Sequence, residues 1–265
     1  MFLDKIVSVK REEVQRLKSR LTSEDAKRAE RMPPVRSLAQ AMKRKNGVPA
    51  LIAEVKPASP SKGTIRETVD PVQIAAAYER GGAAAISVLT DETFFSGRAD
   101  YLTAVKQTVH IPVLRKDFLL DESQVVESRL IGADAILLIA AILDEERIVA
   151  LSRRAHELGL EVLIEVHREE ELDRALAAKP DVLGVNNRDL HTFVTDLATT
   201  ERLCPLLPDS IPVITESGIA SPQDVARAAA CGVDGMLVGE SLMRQDDPES
   251  AVRALLTGAV SCEQR

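Results

Sequence analysis

Residues 51–63, LIAEVKPASPSKG, decide how the rest of the chain is interpreted. The stretch begins as an apolar strand and places Glu54 and Lys56 two residues apart, so both side chains point to one face of that strand. Two charges on an apolar strand are costly unless their face lines a site that needs them, and a plain ion pair at the rim of a sheet is the alternative. The tail that follows, Ser59-Pro60-Ser61-Lys62-Gly63, favours the site, because small residues after a strand end leave backbone N–H groups free to bind an anion.

From residue 50 onward, short apolar runs alternate with amphipathic helical patterns. We predict strands at 50–55, 83–89, 111–115, 134–139, 160–165, 181–185, 211–215 and 233–238. We predict helices near 71–80, 99–108, 121–131, 144–158, 168–178, 198–204, 221–231 and 248–257. The alternation indicates one α/β domain over residues 1–265, a single (β/α)8 barrel of the TIM type. A doubly wound open sheet is the alternative, but no G-x-G-x-x-G follows the first strand.

Residues 1–45 form an N-terminal helical extension with apolar residues at helical spacing. We predict one helix, a break, and a second helix over 37–43 that begins after the N-cap Ser37. The extension is expected to pack outside the main fold.

The net charge of −7 argues against general binding of nucleic acid or anionic membranes, but it permits a small anionic substrate. Three cysteines are too few and too scattered for a disulfide framework or a zinc cluster. Residues 1–20 are charged throughout and do not have the pattern of a signal peptide. The longest apolar run, 135–143, is too short to cross a bilayer. We therefore expect a cytoplasmic protein.

Polar side chains follow most of the predicted strands, at the barrel end where reactive groups lie. Two lysines, several carboxylates and two asparagines would meet at one mouth, which favours a catalytic site over a merely solvated surface. The strand-end residues are Glu54, Lys56, Ser59, Asp91, Phe94, Phe95, Lys116, Asp117, Phe118, Glu165, His167, Asn186, Asn187, Arg188, Glu216, Ser217, Gly218, Gly239, Glu240 and Ser241.

Two glycine-bearing turns, Ser217-Gly218 and Gly239-Glu240, follow the last two predicted strands, where such barrels commonly bind phosphate. Backbone N–H groups in these turns can donate to phosphate oxygens. Ser59, on the first loop, lies beside the eighth strand once the barrel closes. Glycines that only end helices are the alternative. The turns predict a sugar-phosphate substrate.

Lys56 and Lys116 are compatible with two mechanisms. A lysine inside a barrel can form a Schiff base, as in an aldolase, or it can stay protonated as an acid or an anion clamp. We expect Glu54 beside Lys56, and Asp117 beside Lys116, to favour the charged forms. The acid and clamp roles are therefore preferred.

The spacing Glu165-x-His167 could supply two metal ligands, but no third ligand is evident in the sequence. We therefore predict no metal centre. His110, His156 and His191 fall at helix ends or in loops and receive no role.

With these residues in place, the chain resembles the indole-3-glycerol-phosphate synthase family over essentially its whole length. The family's Glu-x-Lys-x-x-Ser-Pro-Ser run stands at 54–61 and its Leu-x-Lys-Asp-Phe run at 114–118. Further matches are Leu137-Leu138-Ile139, Leu163-Ile164-Glu165, Asn186-x-Arg188-Asp189-Leu190, Glu216-Ser217-Gly218 and Leu237-Val238-Gly239-Glu240. The resemblance implies a lyase of tryptophan biosynthesis. Such a decarboxylase converts 1-(2-carboxyphenylamino)-1-deoxy-D-ribulose 5-phosphate to indole-3-glycerol phosphate, CO2 and water, without cofactor or metal.

The resemblance also implies roles for individual residues. Lys116 activates the ketone for ring closure, and Lys56 holds the benzoate carboxylate or assists departure of the hydroxyl. Glu165 acts as general base or acid in the dehydration, Glu54 orients the lysines, and Asn186 completes the catalytic set by hydrogen bonding to substrate hydroxyls. The implied substrate-binding residues are Ser59, Pro60, Phe95, Phe118, Leu137, Ile139, Arg188, Leu190, Ser217, Gly218, Leu237, Gly239 and Glu240.

Two other classes of function remain open. One is another phosphosugar barrel enzyme, such as phosphoribosylanthranilate isomerase or a Schiff-base aldolase, and borohydride with substrate would inactivate the aldolase. The other is a non-catalytic sugar-phosphate sensor, which would bind ligand without turnover. We expect a monomer, with a weak homodimer as the alternative.

Overall fold

The computed structural model describes residues 2–44, 47–60, 62–190 and 192–262, with side chains as far as residue 257. Ser61 of the first motif and His191 lie outside the described residues. Across these ranges, no helix combines the length and the apolar character needed to cross a membrane.

Eight parallel strands close into a barrel, in which each strand pairs with the next along the chain and the last pairs with the first. The strands are β1 (Ala50–Val55), β2 (Ala85–Leu89), β3 (Val113–Lys116), β4 (Ala135–Ile139), β5 (Glu161–Val166), β6 (Val182–Asn186), β7 (Val213–Glu216) and β8 (Gly235–Val238). The predicted TIM barrel is confirmed, and each strand boundary lies within two residues of its predicted position.

Strands β3 and β7 both begin later than predicted, at Val113 and Val213. In each case the preceding residue is a proline, Pro112 or Pro212, which has no N–H to donate to a neighbouring strand. A short antiparallel pair, Ala58–Ser59 with Gly63–Thr64, forms in the loop after β1 and was not predicted.

The N-terminal extension contains three helices rather than the two predicted: α1 (Phe2–Arg20), α2 (Ser23–Glu30) and α3 (Leu38–Ala41). Helix α2 was missed because it is polar and buries only Ala29. A capping box starts it, in which Thr22 and Asp25 bond to each other's backbone. Ser37 caps α3 as predicted, by accepting a hydrogen bond from the backbone of Gln40.

The expectation that the extension packs outside the main fold is wrong. Leu38 and Met42 are buried in one core cluster with Ala50, Ile52 and Leu114, so they close the end of the barrel where the strands begin. Apolar residues at the start of α1 line a cavity at the opposite end of the barrel. The extension therefore contributes to both ends of the barrel.

The outer helices are α4 (Pro71–Gly81), α5 (Glu92–Phe95), α6 (Ala99–Thr108), α7 (Glu122–Leu130), α8 (Glu145–Glu157), α9 (Leu172–Ala177), α10 (Ala198–Leu203), α11 (Pro222–Ala230), α12 (Glu240–Met243) and α13 (Pro248–Cys262). Asp70 and Ser221 cap α4 and α11, each followed by proline, as predicted. The helix predicted over 168–178 is a 3-10 turn, Glu169–Glu171, followed by the shorter α9. The four-residue helices α5 and α12 lie in loops at the mouth of the barrel and were not predicted.

Candidate functional site

A cavity of about 780 Å³ opens at the end of the barrel where the strands finish. Each of the catalytic and substrate-binding residues predicted from the sequence contributes to its lining. The roles of these residues remain predictions, but a single open site brings them together.

Lys116, at the end of β3, is bound by two carboxylates from other strands. Its Nζ lies 2.8 Å from Oε2 of Glu165 and 2.7 Å from Oε2 of Glu216. Burial by itself would lower the pKa of Lys116, but the two carboxylates outweigh that effect and raise the pKa above its usual range. Lys116 is therefore an ammonium at neutral pH, which suits an acid and opposes a nucleophilic amine.

Asp117 is not the partner of Lys116, contrary to the expectation from their adjacency. Asp117 comes directly after the last residue of β3, and the alternation of side chains along an extended chain directs its carboxylate away from the Lys116 ammonium. The carboxylate of Asp117 pairs instead with Lys10 of α1 at 2.9 Å and with Arg115 at 3.0 Å. Burial would raise the pKa of Asp117, but these two cations hold it well below its usual range.

Glu216 was given no role from the sequence, yet it is one of the two carboxylates on Lys116. Burial raises the pKa of Glu216 to about 7, because repulsion from Glu165 and Glu54 adds to desolvation and Lys116 only partly opposes them. Its position at the end of β7 could have predicted this contact from the sequence. Alternate strands of a barrel contribute side chains to the same layer, so the last inward residues of β3, β5 and β7 lie near one another.

Gly184, in the middle of β6, provides the space that Glu216 occupies. A Cβ at this position would collide with Oε1 of Glu216. We expect Gly184→Ala to displace Glu216, lower kcat/KM by up to about 10²-fold and cost about 1–3 kcal/mol in the free energy of unfolding. Steady-state kinetics and urea unfolding would measure both. Adding Glu216→Asp should restore stability but not activity, and an active Gly184→Ala enzyme of normal stability would contradict the packing argument.

Glu54 and Lys56 form the ion pair expected from their spacing, with Lys56 Nζ 2.6 Å from Oε1 of Glu54. Gly239, after β8, lies directly against this pair, and a Cβ there would collide with Oε1 of Glu54 and approach Lys56 Nζ to 3.1 Å. The glycine is therefore required for close approach, in addition to its place in the predicted phosphate-binding turn.

Glu165, at the end of β5, is surrounded by groups that favour its ionised form. Burial would raise the pKa of Glu165, but the charges of Lys116 and His167 and a hydrogen bond from Asn186 hold it below the usual range. The side-chain oxygen of Asn186 in turn accepts the backbone N–H of Arg188 at 3.0 Å. Glu165 and Glu216 thus share one ammonium but differ in the ease with which they bind a proton.

The loops after β1, β7 and β8 meet at one side of the cavity. Ser217 and Gly218 both adopt left-handed backbone conformations, with φ of 67° and 85°. For Ser217 this conformation is costly, and such strain is concentrated at functional sites. The hydroxyl of Ser59 is buried and has no hydrogen-bond partner among the described residues, which makes it available to a ligand.

Aromatic side chains surround the mouth. The chain has five phenylalanines, and four of them, Phe2, Phe95, Phe118 and Phe193, line the cavity. The fifth, Phe94, packs edge-on against Phe2 at a centroid distance of 5.6 Å. Phe2 and Phe193 were not predicted, because contact between α1 and the loop after β6 depends on how the extension folds over the barrel. Other lining residues without a predicted role include Leu3, Ile6, Lys62, Thr195, Ser241 and Arg244.

No group of three or more histidine, cysteine, aspartate and glutamate side chains is arranged to hold a metal ion within the part of the chain that the structure describes. His167 lies against Glu165 and Glu171, with its Nε2 3.3 Å from Oε1 of Glu165.

Solved structures share the barrel at low sequence identity. Thiamine phosphate pyrophosphorylase from Pyrococcus furiosus superposes with a TM-score of 0.63 and 19% identity, covering 85% of this chain and 98% of its own. The 3-hexulose-6-phosphate synthase from Salmonella typhimurium gives a TM-score of 0.62 and 18% identity, covering 82% of this chain and all of its own. At such identities these similarities show the fold alone.

The relationship in sequence is much closer to one family. The family model described as indole-3-glycerol phosphate synthase matches residues 3–255. The indole-3-glycerol phosphate synthase of Geobacillus kaustophilus is 52% identical over 254 residues, which cover 96% of each chain. That of Carboxydothermus hydrogenoformans is 44% identical and covers 97% of this chain and 100% of its own. The resemblance drawn from the motifs is therefore confirmed, and the chain belongs to the indole-3-glycerol phosphate synthase family.

Proposed function

We propose that this chain converts 1-(2-carboxyphenylamino)-1-deoxy-D-ribulose 5-phosphate to indole-3-glycerol phosphate, CO2 and water. Its family is one of carboxy-lyases of tryptophan biosynthesis, EC 4.1.1.48. The observation that carries the proposal is the Lys116 ammonium, held between Glu165 and Glu216 inside the cavity. That group is a positioned acid for the carbonyl on which ring closure depends.

Ring closure joins the aromatic carbon that carries the carboxylate to the ketone carbon. The ketone oxygen gains negative charge as this bond forms, and a proton from Lys116 neutralises it. The new ring then loses CO2, and the electron pair of the broken carbon–carbon bond restores the aromatic system. The two carboxylates beside Lys116 hold its Nζ in place, so no reorganisation is needed as the charge develops.

Lys56 is proposed to bind the benzoate carboxylate of the substrate before it is lost. Its Nζ lies in the cavity, and Glu54 fixes its direction at 2.6 Å. An ammonium that holds the carboxylate at one point bends the substrate toward the ketone, and such positioning lowers the barrier to closure. Because Lys56 lies in the same cavity, it can also protonate the departing hydroxyl.

Glu165 is proposed as the base of the dehydration. When the hydroxyl leaves as water, one C–H proton must be removed so that its electron pair forms the indole double bond. Glu165 is ionised at neutral pH and its carboxylate contacts the Lys116 ammonium, so a base and an acid are adjacent in the cavity. Asn186 and Arg188 contact the sugar hydroxyls in this scheme.

The remaining groups are proposed to bind the two ends of the substrate. The phosphate lies at the loops that carry Ser59, Ser217-Gly218 and Gly239-Glu240, where a buried hydroxyl and left-handed backbone are found together. The anthranilate ring lies in an apolar slot. Its walls are Pro60, Phe95, Phe118, Leu137, Ile139, Leu190 and Leu237.

A sugar-phosphate substrate follows from the family, whereas the protein's other associations are proposals. We propose a monomer that works in the cytoplasm and does not bind nucleic acid, which the net charge of −7 supports. A weak homodimer is the alternative.

An aldolase on the same fold is disfavoured by the surroundings of Lys116. A Schiff base requires a neutral amine, and two carboxylates at 2.7 and 2.8 Å oppose loss of the proton. A sensor would have no use for an acid and a base side by side.

A fluorescence assay tests the proposal directly. Purified protein is mixed with the carboxyphenylamino substrate and EDTA, and indole fluorescence is followed over time. Sustained fluorescence growth is expected, and substrate that stays unchanged would reject the function.

Glu165→Gln is expected to slow the dehydration more than the ring closure, because glutamine cannot accept the C–H proton. Rapid-quench analysis should show the hydroxylated ring intermediate accumulating, with kcat lowered about 10²–10⁴-fold. Glu161→Gln is the matched control, since Glu161 begins the same strand and binds Ser37 and Ala39 at the far end of the barrel. Wild-type kcat in Glu165→Gln would exclude Glu165 as the base.

A further inference from the structure

His167 lies just beyond β5 and takes no part in the scheme above. Its side chain is 8% exposed, and its Nε2 lies 3.3 Å from Oε1 of Glu165. On the other side, Nδ1 lies 3.8 Å from Oε2 of Glu171. Neither ring nitrogen is accessible to solvent, and neither forms a well-aligned hydrogen bond with a described residue. A buried imidazole between two carboxylates needs an explanation.

The two oxygens of Glu165 face different groups. Oε2 binds the Lys116 ammonium at 2.8 Å, whereas Oε1 faces the imidazole of His167. Glu171 is itself held in place, because its Oε2 accepts the backbone N–H of His167 at 2.7 Å. The imidazole therefore has a fixed carboxylate on one side and the proposed base on the other.

The charges around His167 favour its protonated form. Burial would lower the pKa of His167, but Glu171, Glu165 and the more distant Glu216 raise it above its usual value. The nearby cations contact the carboxylates and are separated by them from the imidazole. Lys116 lies across Glu165, and Arg174 lies 3.8 Å from Oε1 of Glu171.

We propose, on the basis of the proposed function, that His167 is a positioning residue whose imidazolium keeps Glu165 ionised and oriented toward Lys116. Glu165 then accepts the C–H proton during dehydration, the electron pair of that bond forms the ring double bond, and the hydroxyl leaves as water with a proton from a lysine. His167 neither gains nor loses a proton in this step. Its charge adds to that of Lys116 in keeping Glu165 ionised, so that Glu165 can act as the base.

The charge on His167 can be observed without turnover. The chain has four histidines, so ¹⁵N-histidine NMR can be assigned with single variants. We expect the His167 ring to remain doubly protonated at pH values above about 6.5 and to titrate at lower pH in Glu165→Gln. An imidazole that titrates at or below about 6.5 in the wild-type protein would overturn the proposal.

The kinetic test uses His167→Gln, which removes the charge and keeps a polar side chain. Loss of the cation raises the pKa of Glu165, so the acidic limb of the kcat–pH profile should move to higher pH by about one unit. His156→Gln is the matched control, because His156 also pairs with a carboxylate, Asp181 at 2.8 Å, but its side chain is 37% exposed and its partner is not Glu165. An acidic limb that coincides with the wild type would reject the role.

Glu171→Gln provides a second route if His167→Gln does not fold. It retains His167 but removes one carboxylate, so the imidazole should titrate at lower pH and the acidic limb should shift in the same direction by a smaller amount. An unchanged limb with a shifted imidazole would overturn the positioning role. Absence of turnover in the wild type would reject the proposed function alone, since the NMR titration still decides whether His167 and Glu165 are coupled.

Discussion

Lys116→Met is expected to lower kcat by at least about 10²–10⁴-fold while the ketone-reduced analogue of the substrate still binds. Methionine approximates the length of lysine but cannot give a proton to the ketone oxygen. The phosphate-binding turns and the aromatic slot are unchanged, so affinity for the reduced analogue should be largely retained. Growth of indole fluorescence measures turnover, and calorimetric titration with the reduced analogue measures binding.

The same substitution leaves Glu165 and Glu216 buried without their shared cation, so the fold must be checked as well. Without Lys116, both carboxylates should have raised pKa values in the folded state. A group of this kind stabilises the fold below its unfolded-state pKa, and the stabilisation is lost as the pH rises through the folded-state value. Lys116→Met should therefore lose stability between acidic and neutral pH, as measured by urea unfolding at several pH values.

Lys116→Arg is the matched control for folding. It keeps a positive charge between Glu165 and Glu216, but a guanidinium does not release its proton at neutral pH. We expect near-normal stability and very low turnover. Turnover close to wild type in Lys116→Met would remove Lys116 from the acid role.

Lys10→Met is expected to lower the free energy of unfolding by about 3–5 kcal/mol. Lys10 is 2% exposed, and its Nζ lies 2.9 Å from both Asp91 and Asp117 and 2.6 Å from Glu13. Removing the ammonium leaves Asp91 without a cationic partner among the residues that the structure describes. Asp91 caps the helix that carries Phe95, and Asp117 follows Lys116, so KM should rise as well.

Lys18→Met, on the same helix, is the matched control. Lys18 pairs with Asp121 at 2.8 Å but is 47% exposed, so its loss should cost no more than about 1 kcal/mol. Urea unfolding of both variants at neutral pH measures the contrast. The deficit of Lys10→Met should shrink at low pH, where Asp91 is protonated, because burial already raises the pKa of that carboxyl. Equal stability of the two variants would contradict the proposed contribution of the buried Lys10 ammonium to folding.

The sequence was sufficient to group the site residues because of how a barrel is built. Parallel strands in a closed barrel all end at the same rim, so residues that follow each strand must lie near one another whatever their separation along the chain. Lys116, Glu165 and Lys56 could thus be assigned to one cavity from strand boundaries and residue types alone. The motifs then identified the family.

The sequence by itself determined the eight-stranded barrel, the rim at which the charges gather and the residue types found there, because strand periodicity and strand ends are local properties. Only the tertiary structure decided which charges pair. Asp117 pairs with Lys10 and not with Lys116, Glu216 pairs with Lys116 instead, and the start of α1 lines the cavity. These choices depend on the direction of each side chain and on the path of the extension across the barrel, and neither has a signature within a few residues of sequence.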